Sequence, residues 1–287
     1  MFFWKMNGTG NDFIIINNIK EKVPFEKFPA IAQKLCERHL SIGADGIMVV
    51  EKPESDAADI KAHIFNADGS EAEMCGNGIR CIARYVWEEK LGGNPVKIDA
   101  KAGYVEVERL SKREYKVKLQ NASVVKSGGT ADINGWEYLY TYLELGNPGI
   151  PHIVVPMPPL IKTDRDALRT IARQLRYYKD FPKGANVNFY EQISADTVEL
   201  ITYERGVEDF TYACGTGSGS TALALYMQKI VTSNRVNLKV PGGLLKVELA
   251  PCEATVQTGD DTYNIYLIGD TNIICKAEVL DEDLVLG

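Results

Sequence analysis

The amino-acid sequence predicts an α+β protein of two pseudo-symmetric lobes. Each is a curved, mostly antiparallel sheet wrapped around a central helix, with the active site in the cleft between them. Three observations carry this expectation. Met74-Cys75-Gly76-Asn77-Gly78-Ile79-Arg80-Cys81-Ile82-Ala83-Arg84-Tyr85 is echoed by Ala213-Cys214-Gly215-Thr216-Gly217-Ser218-Gly219-Ser220-Thr221-Ala222-Leu223-Ala224-Leu225-Tyr226, each a Cys-Gly-x-Gly followed by small and apolar residues. The echo continues downstream: Val96–Ala100 then Gly103-Tyr104-Val105-Glu106-Val107 in the first copy, Val236–Val240 then Gly243–Leu249 in the second. Gly103 lies 28 residues past Cys75 and Gly243 lies 29 past Cys214. A shared motif, spacing and hairpin point to duplication, in which each copy runs cysteine loop, helix, strand, glycine turn, strand.

The remaining elements fit two similar halves. Phe13–Ile16, Gly46–Val50, Tyr115–Leu119 and Val198–Ile201 read as strands. Phe25–Arg38 and Asp164–Tyr178 read as helices, the second with Thr163 as its N-cap. Gly128-Gly129 marks a linker near 125–135. The apolar segment 272–286 reads as a strand that returns to the first half. The expected division is therefore 1–124 with 272–287 in the first lobe, carrying Cys75, and 125–271 in the second, carrying Cys214.

At 287 residues the chain is long enough to bury a sizeable core without covalent staples. Its net charge of −7, with no basic run, argues against a nucleic-acid partner. No basic leader precedes an apolar stretch and no run reaches about 18 apolar residues, so neither export nor a membrane span is expected and the reading is cytoplasmic. Six cysteines (36, 75, 81, 214, 252, 275) could build disulfides, but a cytoplasmic chain keeps them reduced. No Cys-x-x-Cys occurs and His39, His63 and His152 stand far apart, which excludes a structural zinc site of the usual spacing.

Cys-Gly-x-Gly just before a helix is a chemical arrangement. A helix N-terminus offers unpaired N–H groups and a partial positive charge, and glycine lets a ligand approach that backbone closely. A cysteine there has its thiolate favoured, and the same N–H groups can grip a carboxylate and the charge that spreads toward it from an α-carbanion. Two such cysteines can invert an α-carbon: one thiolate takes the proton from one face, one thiol returns a proton to the other. Neither loop ends in the Lys-Ser/Thr of a phosphate-binding P-loop, and neither makes a dinucleotide fingerprint. Cys36, Cys81, Cys252 and Cys275 are expected to be packing residues.

Along nearly its whole length the chain resembles the diaminopimelate epimerase family. The matching segments, in order, are Lys5–Phe13, Gly43-Ala44-Asp45-Gly46, Phe65–Gly78, Gly184–Phe189, and Glu204-Arg205-Gly206 leading to Ala213–Gly217. The resemblance implies interconversion of LL- and meso-diaminopimelate toward lysine and peptidoglycan, with no pyridoxal phosphate, no other cofactor and no metal. It implies a small amino-acid substrate and, in a homodimer, a second copy of the chain as partners. It places Cys75 and Cys214 on the acid/base cysteines, and Gly76, Asn77, Gly215 and Thr216 on the groups that hold the α-carboxylate. Asn11, Asn66, Asn186 and Arg205 fall on residues for the distal end of the substrate, and Glu204 on a glutamate near the reacting centre. Arginine suits that role because its planar fork grips a carboxylate bidentately.

Two departures bear on substrate identity. The family's Gly-Asn-Pro-His becomes Gly146-Asn147-Pro148-Gly149-Ile150-Pro151-His152 here. Asn147 is the candidate substrate contact and His152 the candidate near-site residue, but both can hold the family's places only if the loop bulges; if Pro151-His152 sets the alignment, Ile150 stands where the substrate asparagine belongs. Glu204 also lies ten residues before Cys214, against nine from Asn66 to Cys75. These changes leave the cysteine chemistry intact and favour, as the alternative, a cofactor-independent racemase of another amino acid such as histidine.

Overall fold

The computed structural model describes residues 1–146, 148–160, 162–252 and 263–280. In chain order the elements are β1 (Phe2–Gly8), β2 (Asn11–Asn17), α1 (Asn18–Glu21), α2 (Phe28–Cys36), β3 (Gly46–Glu51), β4 (Ile60–Asn66), β5 (Glu71–Ala72), α3 (Gly76–Glu88), β6 (Val96–Ala100), β7 (Gly103–Arg109) and β8 (Glu114–Lys118). There follow β9 (Ala122–Ile133), β10 (Trp136–Leu145), β11 (Ile150–Pro156), α4 (Arg165–Arg176), β12 (Asn186–Ser194), β13 (Thr197–Glu204), β14 (Asp209–Phe210), α5 (Gly215–Met227), β15 (Arg235–Val240), β16 (Gly243–Pro251), β17 (Tyr263–Asp270) and β18 (Asn272–Glu278). Strand outweighs helix, as an α+β architecture of two sheet-rich halves requires.

The chain divides into two compact units, Met1–Val117 with Gly269–Gly287, and Lys118–Ile268. The boundary falls a few residues before the expected 124/125 and 271/272. The physical reason is that Leu119 donates its N–H to the Ile265 carbonyl at 2.8 Å, which ties the segment after β8 to the second unit.

In the first unit β1 pairs antiparallel with both β2 and the returning β18, β2 pairs parallel with β3, and β3 pairs antiparallel with β4. β4 then pairs parallel with β6, which forms a hairpin with β7. The second unit repeats this scheme. β10 pairs antiparallel with β11, β11 parallel with β12, β12 antiparallel with β13, β13 parallel with β15, and β15 antiparallel with β16. In both units the helix that follows the cysteine is buried almost all round, over Asn77–Val86 in α3 and Gly217–Leu225 in α5. A helix buried on nearly every side belongs at the centre of a fold, and in α3 that burial takes in the polar Asn77, Arg80 and Arg84. A second core lies under α2 (Phe28, Ile31, Leu35) in the first unit and under α4 (Leu168, Ala172, Leu175) in the second.

Several local expectations are corrected. Gly128-Gly129 lies inside β9, opposite β10, where the register shifts between Tyr140 and Tyr142; the glycines mark a β-bulge, not a linker. The N-cap of α4 is Asp164, whose carboxylate accepts the Ala167 N–H at 3.0 Å, not Thr163, whose hydroxyl donates to the Pro159 carbonyl. The helix predicted from Phe25 begins as a 3₁₀ turn over Phe25–Lys27 and becomes α only at Phe28, with Pro29 in its first turn. The predicted strand 272–286 is β18 through Glu278; 281–286 lie outside the described residues.

Gly46, in β3, shows how tightly the first sheet is built. A Cβ there would stand 2.5 Å from the Phe65 carbonyl oxygen, a backbone atom that cannot swing aside. Gly46→Ala should lower unfolding stability by about 1–3 kcal/mol, read as a lower urea midpoint at unchanged slope. Gly93→Ala, where an added Cβ meets nothing within 4 Å, should change it by less than about 0.5 kcal/mol.

Candidate functional site

Both cysteines occupy the N-cap position of a central helix. Cys75 and Cys214 have extended backbone, φ −137° and −112°, and each sulfur accepts the N–H three residues on: Gly78 to Cys75 Sγ at 3.4 Å, Gly217 to Cys214 Sγ at 3.3 Å. The sulfur thus takes the place that a Ser or Asp oxygen usually fills. Thr216 Oγ1 lies 3.5 Å from Cys214 Sγ. Gly76, Asn77, Gly215 and Thr216 form the first turns, where backbone N–H groups lack helical acceptors. The glycine at the third helical position is imposed from below. In the first unit a Cβ on Gly78 would collide with Met48, and in the second a Cβ on Gly217 would collide with Asn188 Oδ1.

Sheet register relates the two units residue by residue. In the first, Phe13 pairs with Gly46 and Gly46 with Asn66. In the second, His152 pairs with Asn186, and the Val187–Tyr203 pair sets Asn186 opposite Glu204. His152 therefore stands where Phe13 does, Asn186 where Gly46 does, Glu204 where Asn66 does, and Asn188 where Met48 does. The extra residue before Cys214 is taken up in the turn: Arg205–Glu208 spans four residues where Ala67–Gly69 spans three, and Glu204 keeps its register. The altered loop resolves in the same way. β1 and β2 meet at Gly8–Asn11, and β10 and β11 at Leu145–Ile150. Ile150 holds the position of Asn11, and two extra residues sit in the connection. Asn147 lies outside the described residues.

The first unit ties two of its predicted site residues, Asn11 and Asn77, into one network. Asn77 Nδ2 donates to Asn11 Oδ1 at 2.6 Å, and Asn11 Nδ2 donates to Asp45 Oδ2 at 3.0 Å. Arg80, fully buried and in no ion pair among the described residues, donates to Asn77 Oδ1, Thr9 Oγ1 and the Gly76 carbonyl at 3.0–3.1 Å. Because one end only donates and the other only accepts, the orientation of both amides is fixed. Asp12 and Asp45 act as loop anchors: Asp12 pairs with Lys5 at 2.6 Å and with Arg38 at 2.6 Å, which holds its carboxyl below the usual carboxylate range against the opposing effect of burial. Asn66 is exposed and donates to Ser70 Oγ at 3.0 Å.

In the second unit Asn186 is buried and spends its amide on backbone, donating to the Pro151 carbonyl at 3.0 Å and accepting the Arg205 N–H at 2.8 Å. It thereby fixes the backbone of Arg205, whose side chain is exposed. Burial pushes the Glu204 carboxyl above the usual range, a shift opposed by the neighbouring Thr211 and Cys214 side chains. His152 is fully buried, and burial first, then the positive charge of Arg205, lowers its pKa to about 3. Arg80, Asn188 and Thr202 escaped the sequence reading. The alternation Asn186-Val187-Asn188 puts both amides on one sheet face, and Asn77, Arg80 and Arg84 fall on one face of the helix that follows Cys75; these were the available signals. Among the described residues no cluster of His, Cys, Asp or Glu has the makings of a metal site.

Comparison with known proteins identifies the family. A family model described as diaminopimelate epimerase matches residues 3–126 and 145–264. The chain is 34% identical to a diaminopimelate epimerase of Aquifex aeolicus over 99% of each chain, and 38% identical to one of Archaeoglobus fulgidus over 90% of this chain and 92% of that protein. It is also 39% identical to one of Methanocella arvoryzae over 85% and 88%. Among solved structures, a phenazine biosynthesis protein of the PhzF family from Bacillus anthracis superimposes with TM-score 0.73 at 15% identity, covering 98% of this chain and 99% of that one. A hydroxyproline epimerase from Agrobacterium vitis does so with TM-score 0.68 at 13% identity, covering 97% and 90%. These two show the two-lobed α+β fold alone. With its family model matched along most of the chain and relatives above 30% identity over nearly full length, the chain belongs to the diaminopimelate epimerase family.

Proposed function

We propose that this isomerase interconverts LL- and meso-diaminopimelate by passing one α-proton between Cys75 and Cys214, without a cofactor, in the cytoplasmic route to lysine and peptidoglycan precursors. The observation that carries the reading is the paired N-cap geometry: two sulfurs, each held by a glycine N–H at 3.3–3.4 Å at the start of a buried helix.

The chemistry follows from the groups present. A helix N-terminus favours an anionic sulfur and, beside it, a bound carboxylate. The N–H groups of the first turns, at Gly76, Asn77, Gly215 and Thr216, hold the α-carboxylate and take up charge as the α-proton leaves. One cysteine, as thiolate, removes that proton; the other, as thiol, delivers one to the opposite face, and the two exchange protonation states with each turnover. Arg205, exposed and set by Asn186, meets the distal carboxylate, and Asn11, oriented by Asn77 and Asp45, meets the distal head. Ile150 supplies no amide at the position matching Asn11, and this is the feature that favours another amino acid as substrate.

In deuterated water, reduced protein with LL-diaminopimelate should give inverted product carrying deuterium at the α-carbon. Cys75→Ser and Cys214→Ser should each cut epimerisation by at least about 100-fold. Full activity in either variant would overturn the two-thiol mechanism, and exchange confined to another amino acid in a panel would overturn the substrate.

The raised Glu204 carboxyl gives a pH test with a definite sign. A carboxyl whose pKa is higher in the folded chain contributes stability below its ordinary value near 4.5, and that contribution is lost as pH rises through the folded value. Glu204→Gln should therefore raise the melting temperature relative to the parent at pH 8 and less, or not at all, at pH 4. A gain larger at pH 4 than at pH 8 would contradict the buried-carboxyl assignment.

A further inference from the structure

Beneath α5 the second unit carries a small polar network that the two-thiol mechanism does not use. His152, Asn188 and Thr202 are buried on β11, β12 and β13, and Asn188 Oδ1 lies directly under Gly217, the residue whose N–H holds Cys214 Sγ. In the first unit the position of Asn188 is Met48 and that of His152 is Phe13, so this network belongs to one half only.

Its proton arrangement is determined by its ends. Asn188 Nδ2 is 2.9 Å from the Ile153 carbonyl, a group that can only accept, so the amide nitrogen faces it. The Thr202 hydroxyl donates to Asn188 Oδ1 at 2.9 Å. One amide proton is thus spent on Ile153, and the other points at His152 Nδ1, 3.2 Å away. A ring nitrogen that receives a hydrogen bond must present its lone pair, so the ring proton sits on Nε2. An imidazolium would set two N–H groups against each other at Nδ1.

We infer that Asn188 is a positioning residue that locks His152 as the neutral Nε2–H tautomer and takes it out of proton transfer, leaving the two cysteines as the acid and base. The consequence for turnover rests on the epimerase reading; the tautomer itself does not. Burial disfavours a positive charge on the ring, and the guanidinium of Arg205 acts in the same direction. A ring held neutral, with its Nδ1 lone pair engaged by Asn188, is taken out of proton transfer, and its Nε2–H is buried without a hydrogen-bond partner among the described residues.

The test uses the reduced full-length chain with ¹⁵N-labelled histidine. The three histidines make the spectrum assignable, with His152→Gln identifying the relevant signals. The expected result is a lone-pair nitrogen at δ1 and an N–H at ε2 in His152, unchanged from pH 5 to 8. A His152 that protonates in that range, or carries its proton on Nδ1, overturns the inference. Asn188→Asp replaces the amide donor by an acceptor and should move the proton to Nδ1 or charge the ring. It should also add a histidine step to the pH profile of kcat/KM and cut the rate at pH 7 by about 10-fold. A profile and tautomer identical to the parent's would also overturn it. If Asn188→Asp does not fold, Thr202→Val decides: Ile153 alone still orients the amide, so the parent tautomer should persist, and its loss overturns the argument. Absence of α-proton exchange with every amino acid tested, alongside the expected His152 spectrum, would remove the epimerase reading and leave the tautomer lock standing.

Discussion

The interaction on which the rest depends is the hydrogen bond from a glycine N–H to a cysteine sulfur at the start of a buried helix. It occurs twice, Gly78 to Cys75 and Gly217 to Cys214. A helix buried on nearly every side cannot hand its first N–H groups to bulk water, so they need protein acceptors or a ligand. The cysteine sulfur satisfies one of them, and the glycines that follow leave the others approachable. Each sheet enforces the glycine from beneath, with Met48 in one unit and Asn188 in the other. A structural requirement, capping a central helix, and a chemical one, a sulfur beside a partial positive charge, are thereby met by the same atoms.

The two units keep the same backbone plan and differ in what surrounds the cap. The first places a buried guanidinium, Arg80, one turn into α3, where α5 has Gly219. The second places a carboxyl, Glu204, where the first has the neutral Asn66, and a polar network of His152, Asn188 and Thr202 where the first has Phe13, Met48 and Ile64. The repeat gives the two cysteines equivalent places in the backbone, and substitutions around them have made their surroundings unequal.

Much of this was legible in the sequence because the repeat carries it. Cys-Gly-x-Gly, the hairpin 28–29 residues on and the alternating strands fix the cysteine loops, both central helices and the α+β class. What was not legible depended on partners far away in sequence. Gly128-Gly129 looks like a linker until β10 lies opposite and turns it into a bulge. The loop before His152 admits two alignments until strand pairing shows that Ile150, not an amide, matches Asn11. Asn186 reads as a ligand, yet both ends of its amide are bonded to backbone, at Pro151 and Arg205. For Arg80 and Asn188 the sequence offered only a shared face, and their roles emerged from the groups that surround them.

The central claim is that Cys75 and Cys214 form one functional pair and that the other thiols take no part in it: Cys36 and Cys81 are packed in the interior, whereas Cys275, expected to pack, is exposed because it lies on the open face of β18. Its most direct measurement is site-resolved alkylation of the reduced protein with iodoacetamide at neutral pH, with and without saturating meso-diaminopimelate. The account predicts that Cys75 and Cys214 are both alkylated in the free protein and both protected by substrate, while fully buried Cys81, whose thiol burial pushes up to about 12, stays unmodified throughout. Protection of only one of the pair, or of neither at substrate concentrations that support turnover, would contradict it.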